Sequence, residues 1–147
     1  MNLTIEEVLQ KLPKECIISG SIALKQYGML RPDREIHDID VVVEEKTKEE
    51  LDELFKDVGT VTEEEDQVTR TYIEKFYRVK VFNSDVVIDV FVKSKGTVLV
   101  MDRNIEHFRT ILKAKVDIIC DRLSPPNDEV ANKHVKDLQY FLNHVCN

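Results

Sequence analysis

Residues 37–43 read HDIDVVV, two aspartates set in a run of β-branched residues that predicts a strand over 36–43. Side chains of a strand alternate between its faces, so Asp38 and Asp40 project together while Ile39 points to the core. Two neighbouring carboxylates repel each other, so one takes a proton or a cation lies between them. Oxygen-only ligands suit Mg²⁺ or Mn²⁺ rather than zinc. For this pair alone, two exposed carboxylates at a strand edge are the simpler interpretation.

A second predicted strand, over 86–92, reads VVIDVFV and carries Asp89. Apolar residues occupy both of its faces, so Asp89 is expected among buried neighbours. A carboxylate there is unfavourable unless it is paired, hydrogen-bonded or bound to a metal. If this strand lies beside residues 36–43, Asp89 completes a cluster of three carboxylates. An arginine or lysine partner is the structural alternative.

A glycine and a serine join a predicted strand to a helix. Residues 16–19 read CIIS, a short buried strand, and a helix is predicted from Gly20 to near Gly28. Glycine lets the backbone approach a phosphate, and a helix N-terminus supplies free N–H groups. Gly20 and Ser21 are therefore candidate phosphate contacts, although for this pair alone capping of the helix by Ser21 is the simpler interpretation.

The remaining pattern predicts the fold class. Capping boxes at 4–7 and 47–50 start two helices, and Gly59 is expected at the exit of the second. Strands at 77–82 and 86–92 form a hairpin, a short strand follows at 98–100, and the acidic run 63–66 is expected to be a solvated loop.

From Asn104 the spacing is helical, with a break at 124–127. We therefore predict one α+β domain over 1–147, with a mixed or antiparallel sheet flanked by helices in 1–102 and a C-terminal helical pair in 103–147.

Composition limits the function classes. The net charge of −7 argues against a general nucleic-acid-binding surface, without excluding a local basic groove. The apolar runs are too short to span a membrane. The first residues lack the pattern of a secretory signal, and the three cysteines lack metal-ligand spacing. A cytoplasmic location is expected.

Three segments together resemble the nucleotidyltransferase fold of the polymerase-beta type: residues 17–21 (IISGS), residues 38–40 (DID) and Asp89. Small bacterial-type members are most similar, such as minimal nucleotidyltransferases and the abortive-infection type II toxin group, which share a Gly-Ser-x-Ala-Leu helix. The resemblance covers about the first 95 residues. One departure is a longer segment between Ser21 and Asp38, which places a loop at 29–35 beside the site.

The resemblance implies metal-dependent transfer of a nucleoside monophosphate from an NTP such as ATP to an acceptor hydroxyl, with release of pyrophosphate. The implied cofactor is Mg²⁺ or Mn²⁺, with one ion on Asp38 and Asp40 and a second ion shared by Asp89. The implied acceptor is an RNA end such as tRNA, a protein or a small molecule, and a partner protein or a second copy of the chain is a further expectation. The implied catalytic and metal-binding residues are Asp38, Asp40 and Asp89, and the implied phosphate-binding residues are Gly20, Ser21, Lys115 and Arg34.

Simpler interpretations remain open. Arg31, Arg34, Lys113 and Lys136 are ordinary solvated charges on this view, while Lys115 falls on an apolar stripe of its helix. Asp137 is expected to orient a lysine or to cap a polar network, and His37 to be structural. A degenerate nucleotidyltransferase-like domain that binds without turnover is one alternative function. The other is an interaction protein whose aspartates are structural, which predicts a salt-bridge partner for Asp89.

Overall fold

The computed structural model describes residues 2–64, 75–98, 100–101, 104–121 and 129–145. Its elements, in chain order, are α1 (Ile5–Gln10), β1 (Ile17–Ser19), α2 (Gly20–Gln26), β2 (Asp38–Glu44), α3 (Lys48–Leu54), β3 (Gly59–Glu64), β4 (Lys75–Val81), β5 (Val87–Lys93), β6 (Val100–Met101), β7 (Ile105–Glu106), α4 (Phe108–Asp121), α5 (Glu129–Tyr140) and a π-helical stretch, Phe141–Val145. No helix in these ranges has both the length and the apolar character needed to cross a membrane.

A seven-stranded mixed sheet of order β3-β4-β5-β2-β1-β7-β6 organises the chain, as the α+β prediction requires. β2 runs parallel to β5 and β1 parallel to β7, while the other neighbours are antiparallel. The registers place five polar residues side by side across the sheet. We call them the polar row: Thr62, Arg78, Asp89, Asp40 and Ser19.

The main core lies on the opposite face of the sheet. Ile39 and Val41 of β2 and Ile88 and Val90 of β5 are fully buried there. The amphipathic helices α1 and α3 cover this face, and both begin with the predicted capping boxes. Because strand side chains alternate, burying these residues directs the polar row to the other face.

Two details of the first half differ from the prediction. Gly59 does not end α3 but begins β3, and a Cβ there would lie 2.8 Å from the carbonyl carbon of Lys80, so only glycine fits the pairing. Glu63 and Glu64 are exposed residues of β3 and not a loop. The rest of the acidic run, at 65–66, lies outside the described residues.

The start of the C-terminal helices also differs. Ile105 and Glu106 form β7, and α4 begins only at Phe108. Ile105 is buried beside Ile18 of β1, so its apolar side chain satisfies a helical pattern and a strand equally well. The short strand expected at 98–100 is β6, at Val100–Met101. The predicted break at 124–127 lies outside the described residues.

Candidate active site

Asp40 and Asp89 lie opposite each other on the parallel strands β2 and β5. Asp38 precedes them on the same face of β2 and is exposed at the start of the strand. Burial, followed by the charges of Asp89 and Asp38, raises the pKa of Asp40 to about 7. Burial also raises the pKa of Asp89, although its contacts with Arg78 act in the opposite direction. The sheet register thus brings together the three predicted carboxylates.

The Ser19–Gly20 turn presses against this cluster. Gly20 has φ +62°, a left-handed conformation that favours glycine. A Cβ at Gly20 would overlap Oδ2 of Asp40 and would lie 2.9 Å from both its Cβ and its Cγ. The predicted glycine therefore serves two needs, the backbone conformation and the close approach to a carboxylate.

Arg78 of β4 forms an ion pair with Asp89. Its Nε donates to Asp89 Oδ1 at 3.0 Å, and the guanidinium carbon lies 5.8 Å from the centre of the Phe76 ring. Phe76 stacks in turn on Phe91, with ring centres 5.0 Å apart. The sequence did not single out Arg78, yet it is the salt-bridge partner that the structural interpretation of Asp89 required.

The donor set suits a divalent cation in part. The clustered carboxylates are hard oxygen ligands. Burial and the charges of Asp89 and Asp38 raise the pKa of Asp40 more than Lys115 and Lys133 lower it. Asp38 and Asp40 therefore fit such an ion, whereas Asp89 is already engaged by Arg78. Within the described ranges, no group of three or more His, Cys, Asp or Glu side chains is poised to hold a metal.

A buried cluster of cations faces the aspartates from the helical side. Asp137 of α5 accepts hydrogen bonds from Arg31 Nε at 2.7 Å and from Lys115 Nζ at 2.9 Å, and Arg34 Nε lies 3.3 Å from the same carboxylate. The arginine side chains are only 15% and 14% exposed, so the view of them as solvated loop charges is wrong. Asp137 orients a lysine, as one of its two predicted roles required.

Electrostatics fix the charge states of this cluster. Burial alone would raise the pKa of Asp137, but Lys115 and the two arginines together lower it. Burial lowers the pKa of Lys115 against the attraction of Asp137. His134 Nδ1 lies 3.1 Å from Lys115 Nζ, and burial followed by Lys115 and Lys133 lowers the pKa of His134 to about 3. The imidazole is therefore neutral at pH 7 and can accept from the ammonium.

Ser21 belongs to the same network. Its Oγ accepts from Arg34 Nη2 at 2.8 Å, and it lies inside α2, whose N-cap is Ser19 without a side-chain capping bond. The capping role considered for Ser21 is therefore wrong. Arg34 thus links the loop at 29–35 to α2 and α5 and holds the loop beside the site.

A cavity of about 410 Å³ lies between the sheet and the C-terminal helices. Gly20, Ser21 and Asp40 line its sheet side, and Lys115 and Lys133 face them from α4 and α5. Lys133 was not singled out from the sequence, although its i,i+4 spacing to Asp137 was a usable signal. Burial lowers the pKa of Lys133. We call Lys115 and Lys133 the basic wall of the cavity. A basic wall opposite a carboxylate suits an anion that binds together with a cation.

Glu106 holds the Ser19–Gly20 turn in place through hydrogen bonds. Its carboxylate accepts from Ser19 Oγ at 2.6 Å and from Lys93 Nζ at 2.9 Å, while its backbone carbonyl accepts from the Tyr27 hydroxyl at 2.7 Å. The helix predicted from Asn104 concealed this buried glutamate. These bonds tie β7, β5 and α2 to the turn that carries Gly20.

The other predicted residues lie at the edge of the cavity or outside it. His37 is 77% exposed, and its Nε2 lies 3.3 Å from Glu35 Oε2, so its predicted structural role stays a prediction. Lys113 lines the cavity edge but forms an ion pair with Asp117 at 2.9 Å. Lys136 is exposed, as its solvated interpretation requires. Asp38 and Asp89 flank Asp40 without lining the cavity themselves.

Known proteins extend these observations. No curated protein matches the chain. Among solved structures, JHP933 from Helicobacter pylori is similar, with a TM-score of 0.55 and 15% identity over 95% of this chain and 65% of that one. A candidate nucleotidyltransferase from H. pylori has the same TM-score and identity over 95% of this chain and 67% of that one. This chain thus spans about two thirds of the length of both.

At this identity the likeness concerns the fold alone, which is the nucleotidyltransferase fold that the sequence resembles. The protein-family model described as aminoglycoside-2''-adenylyltransferase matches residues 2–118, well over half of the chain. The chain belongs to the aminoglycoside-2''-adenylyltransferase family.

Proposed function

We propose that this protein transfers a nucleoside monophosphate from an NTP to an acceptor hydroxyl, with Mg²⁺ or Mn²⁺ as cofactor. Membership of a nucleotidyltransferase family supports nucleotide transfer in general. One observation supports the specific proposal: Asp40 shares a cavity with Lys115 and Lys133, and Gly20 packs against its carboxylate. A triphosphate with its cation has matching charges.

The basic wall is the proposed triphosphate site. Lys115 is held by Asp137 and His134, so its ammonium is oriented before the nucleotide arrives. Arg34 and Lys133 add positive charge along the same cavity. Preorganised charges of this kind stabilise developing negative charge without reorganising during the reaction. Ser21 completes the proposed phosphate contacts, together with the backbone at Gly20, which tolerates close approach.

The aspartates are the proposed reacting centre. Asp38 and Asp40 would hold the divalent cation, which when bound neutralises the triphosphate and fixes its orientation. Asp89 orients the acceptor hydroxyl and accepts its proton, a role that its burial-raised pKa favours. The hydroxyl oxygen forms a bond to the α-phosphorus, the bond from that phosphorus to the bridging oxygen breaks, and pyrophosphate leaves.

The first acceptor to test is an aminoglycoside with ATP as donor, because the family takes its name from that reaction. An acidic chain attracts a polycationic acceptor, and the net charge here is −7. An RNA end and a protein hydroxyl are the other two acceptor classes.

The test supplies each α-labelled NTP with Mg²⁺ or Mn²⁺ to the purified chain, with aminoglycosides, RNA or protein as separate acceptors. We expect label to move to one acceptor class and to be lost in an Asp38→Asn/Asp40→Asn double variant. Glu44→Gln is the matched control, since Glu44 lies on the same face of β2 at its far end. Label transfer by the double variant, or none by the wild type with any acceptor, contradicts the proposal.

Nucleotide binding without turnover is the second candidate. The Arg78–Asp89 ion pair favours it, because Arg78 already binds the carboxylate that the proposed reaction uses to accept a proton. A metal-dependent thermal shift with NTP, but no transfer to any acceptor, selects this function. The Asp89→Asn variant tests the role of that carboxylate. It abolishes transfer in the first case and leaves NTP binding nearly unchanged in both.

A further inference from the structure

Arg78 and Asp89 are held together by the sheet itself. They lie directly opposite each other on the antiparallel strands β4 and β5, and the guanidinium Nε reaches Oδ1 at 3.0 Å. The Asp89 side chain is 13% exposed and that of Arg78 is 40% exposed. Directly opposite side chains on one face of a sheet are within reach of each other, so the register of β4 and β5 places this pair together.

The ring of Phe76 further confines the arginine. Phe76 lies two residues before Arg78 on the same face of β4, and the guanidinium carbon is 5.8 Å from its ring centre. Phe76 is itself stacked on Phe91 of β5, which keeps the ring in place. Arg78 is therefore positioned from two sides, by a carboxylate and by an aromatic face.

The guanidinium of Arg78 lies where a second divalent cation on Asp89 would lie. Asp89 is opposite Asp40, so an ion shared between them would lie beside the guanidinium and would be repelled by it. Asp38 and Asp40 differ in this respect: among the described residues, no Lys or Arg forms an ion pair with either carboxylate. The cluster thus has two carboxylates that still lack a cation and one that already has its own.

We propose that Arg78 takes the place of a second divalent cation, so that this chain holds a single divalent ion on Asp38 and Asp40. Asp89 then serves as a carboxylate that is charge-balanced by protein rather than by metal. The inference rests on the proposed function, because it assumes that the aspartates bind a metal at all. It narrows that function to a reaction centre with one ion and one guanidinium.

Counting bound Mn²⁺ tests the inference without any catalytic assay. The purified chain is titrated with Mn²⁺ alone, and free Mn²⁺ is measured from its electron paramagnetic resonance signal. We expect one site per wild-type chain. Arg78→Gln removes the guanidinium, and we expect a second site, with binding at least roughly tenfold tighter than any second binding to the wild type.

Two further variants make the result specific. Lys80→Gln removes a positive charge from the same face of β4, two residues further along, and is expected to retain one site. Arg78→Gln/Asp89→Asn is expected to lose the site that Arg78→Gln gained, since the gained ion requires the Asp89 carboxylate. Circular dichroism confirms that each variant is folded. If Arg78→Gln does not fold, Arg78→Met, which also removes the charge, takes its place and is expected to gain the second site.

Two Mn²⁺ ions on the wild-type chain, or an unchanged count in Arg78→Gln, overturn the inference and leave the proposed function standing. A second site that also appears in Lys80→Gln overturns it as well, because general charge would then be the cause. Wild-type chains that bind no Mn²⁺ overturn the metal site of the proposed function and the inference with it. Label transfer is measured separately, so the two failures are distinguishable.

Discussion

Replacing Gly20 with alanine tests the geometry on which the site depends. Gly20 combines φ +62° with contact against the Asp40 side chain. The added methyl group would overlap Oδ2 of Asp40 and would lie 2.9 Å from its Cβ, an atom that rotation of the carboxylate cannot move away. The substitution therefore changes the backbone energy and the position of a carboxylate at once.

The expected loss of stability in Gly20→Ala has two contributions, one from the backbone and one from packing. An alanine in the left-handed region costs about 1–2 kcal/mol, which the reduced entropy of the unfolded chain offsets by roughly 0.5 kcal/mol. Overpacking against Asp40 adds about 1–3 kcal/mol. A carboxylate displaced by about 1 Å from a reacting centre lowers transfer by roughly 10²-fold. We expect Gly20→Ala to lose both stability and activity.

Gly28 offers a matched control. It has φ +73°, yet a Cβ there would meet no atom within 4 Å. Gly28→Ala therefore carries only the backbone cost, about 1 kcal/mol, which lowers Tm by about 3 °C in a chain of this size. Urea unfolding and Mn²⁺ binding are measured on both variants, with label transfer where it is detected. A Gly20→Ala protein no less stable than Gly28→Ala, with unchanged Mn²⁺ affinity, would refute the reasoning.

Asp137→Asn is expected to lower the free energy of unfolding, measured in urea, by roughly 3 kcal/mol, because it leaves Lys115 and two arginines with an uncompensated buried charge. Lys136→Gln, at the exposed neighbouring position, is the control and is expected to change it by less than about 0.5 kcal/mol. Equal effects of the two substitutions would contradict the network. Stability should also fall as the pH drops from about 6.5 towards 3, because the unfolded chain binds a proton at His134 that the folded chain, with a pKa of about 3, does not. Urea titrations across this range should show a pH dependence shallower in His134→Asn by at most about 1.4 kcal/mol per pH unit; an identical slope would show that His134 is not buried as a neutral imidazole.

Sequence reasoning was most successful where one residue type satisfied one strong local rule. The capping boxes at Thr4 and Thr47 gave both helix starts, because each reciprocal pair of hydrogen bonds depends only on neighbours in the chain. Strand periodicity likewise put Asp38 and Asp40 on one face of β2. That Asp89 faces Asp40 was a conditional expectation, and the parallel register of β2 and β5 confirms it.

It was least successful where tertiary pairing decided the outcome. A two-residue strand such as β7 has no periodicity of its own, and Ile105 fits a helical stripe as well as it fits a place beside Ile18. Glu106 was concealed by the same ambiguity. Arg78 went unnoticed because its partner lies on the neighbouring strand, so only the register of the hairpin brings the two together. Long-range partners of this kind leave no local pattern.

The distribution of partners among the buried charges is the strongest argument for where the chemistry takes place. Glu106 has Lys93, Asp137 has Lys115, and Asp89 has Arg78, so each of these carboxylates is balanced by protein. Asp40 differs: burial and two neighbouring carboxylates raise its pKa to about 7, and no Lys or Arg of the described chain forms an ion pair with it. A carboxylate kept at this cost beside a basic cavity does little for stability. On the proposed function, a nucleotide with its divalent cation supplies the positive charge that Asp40 lacks.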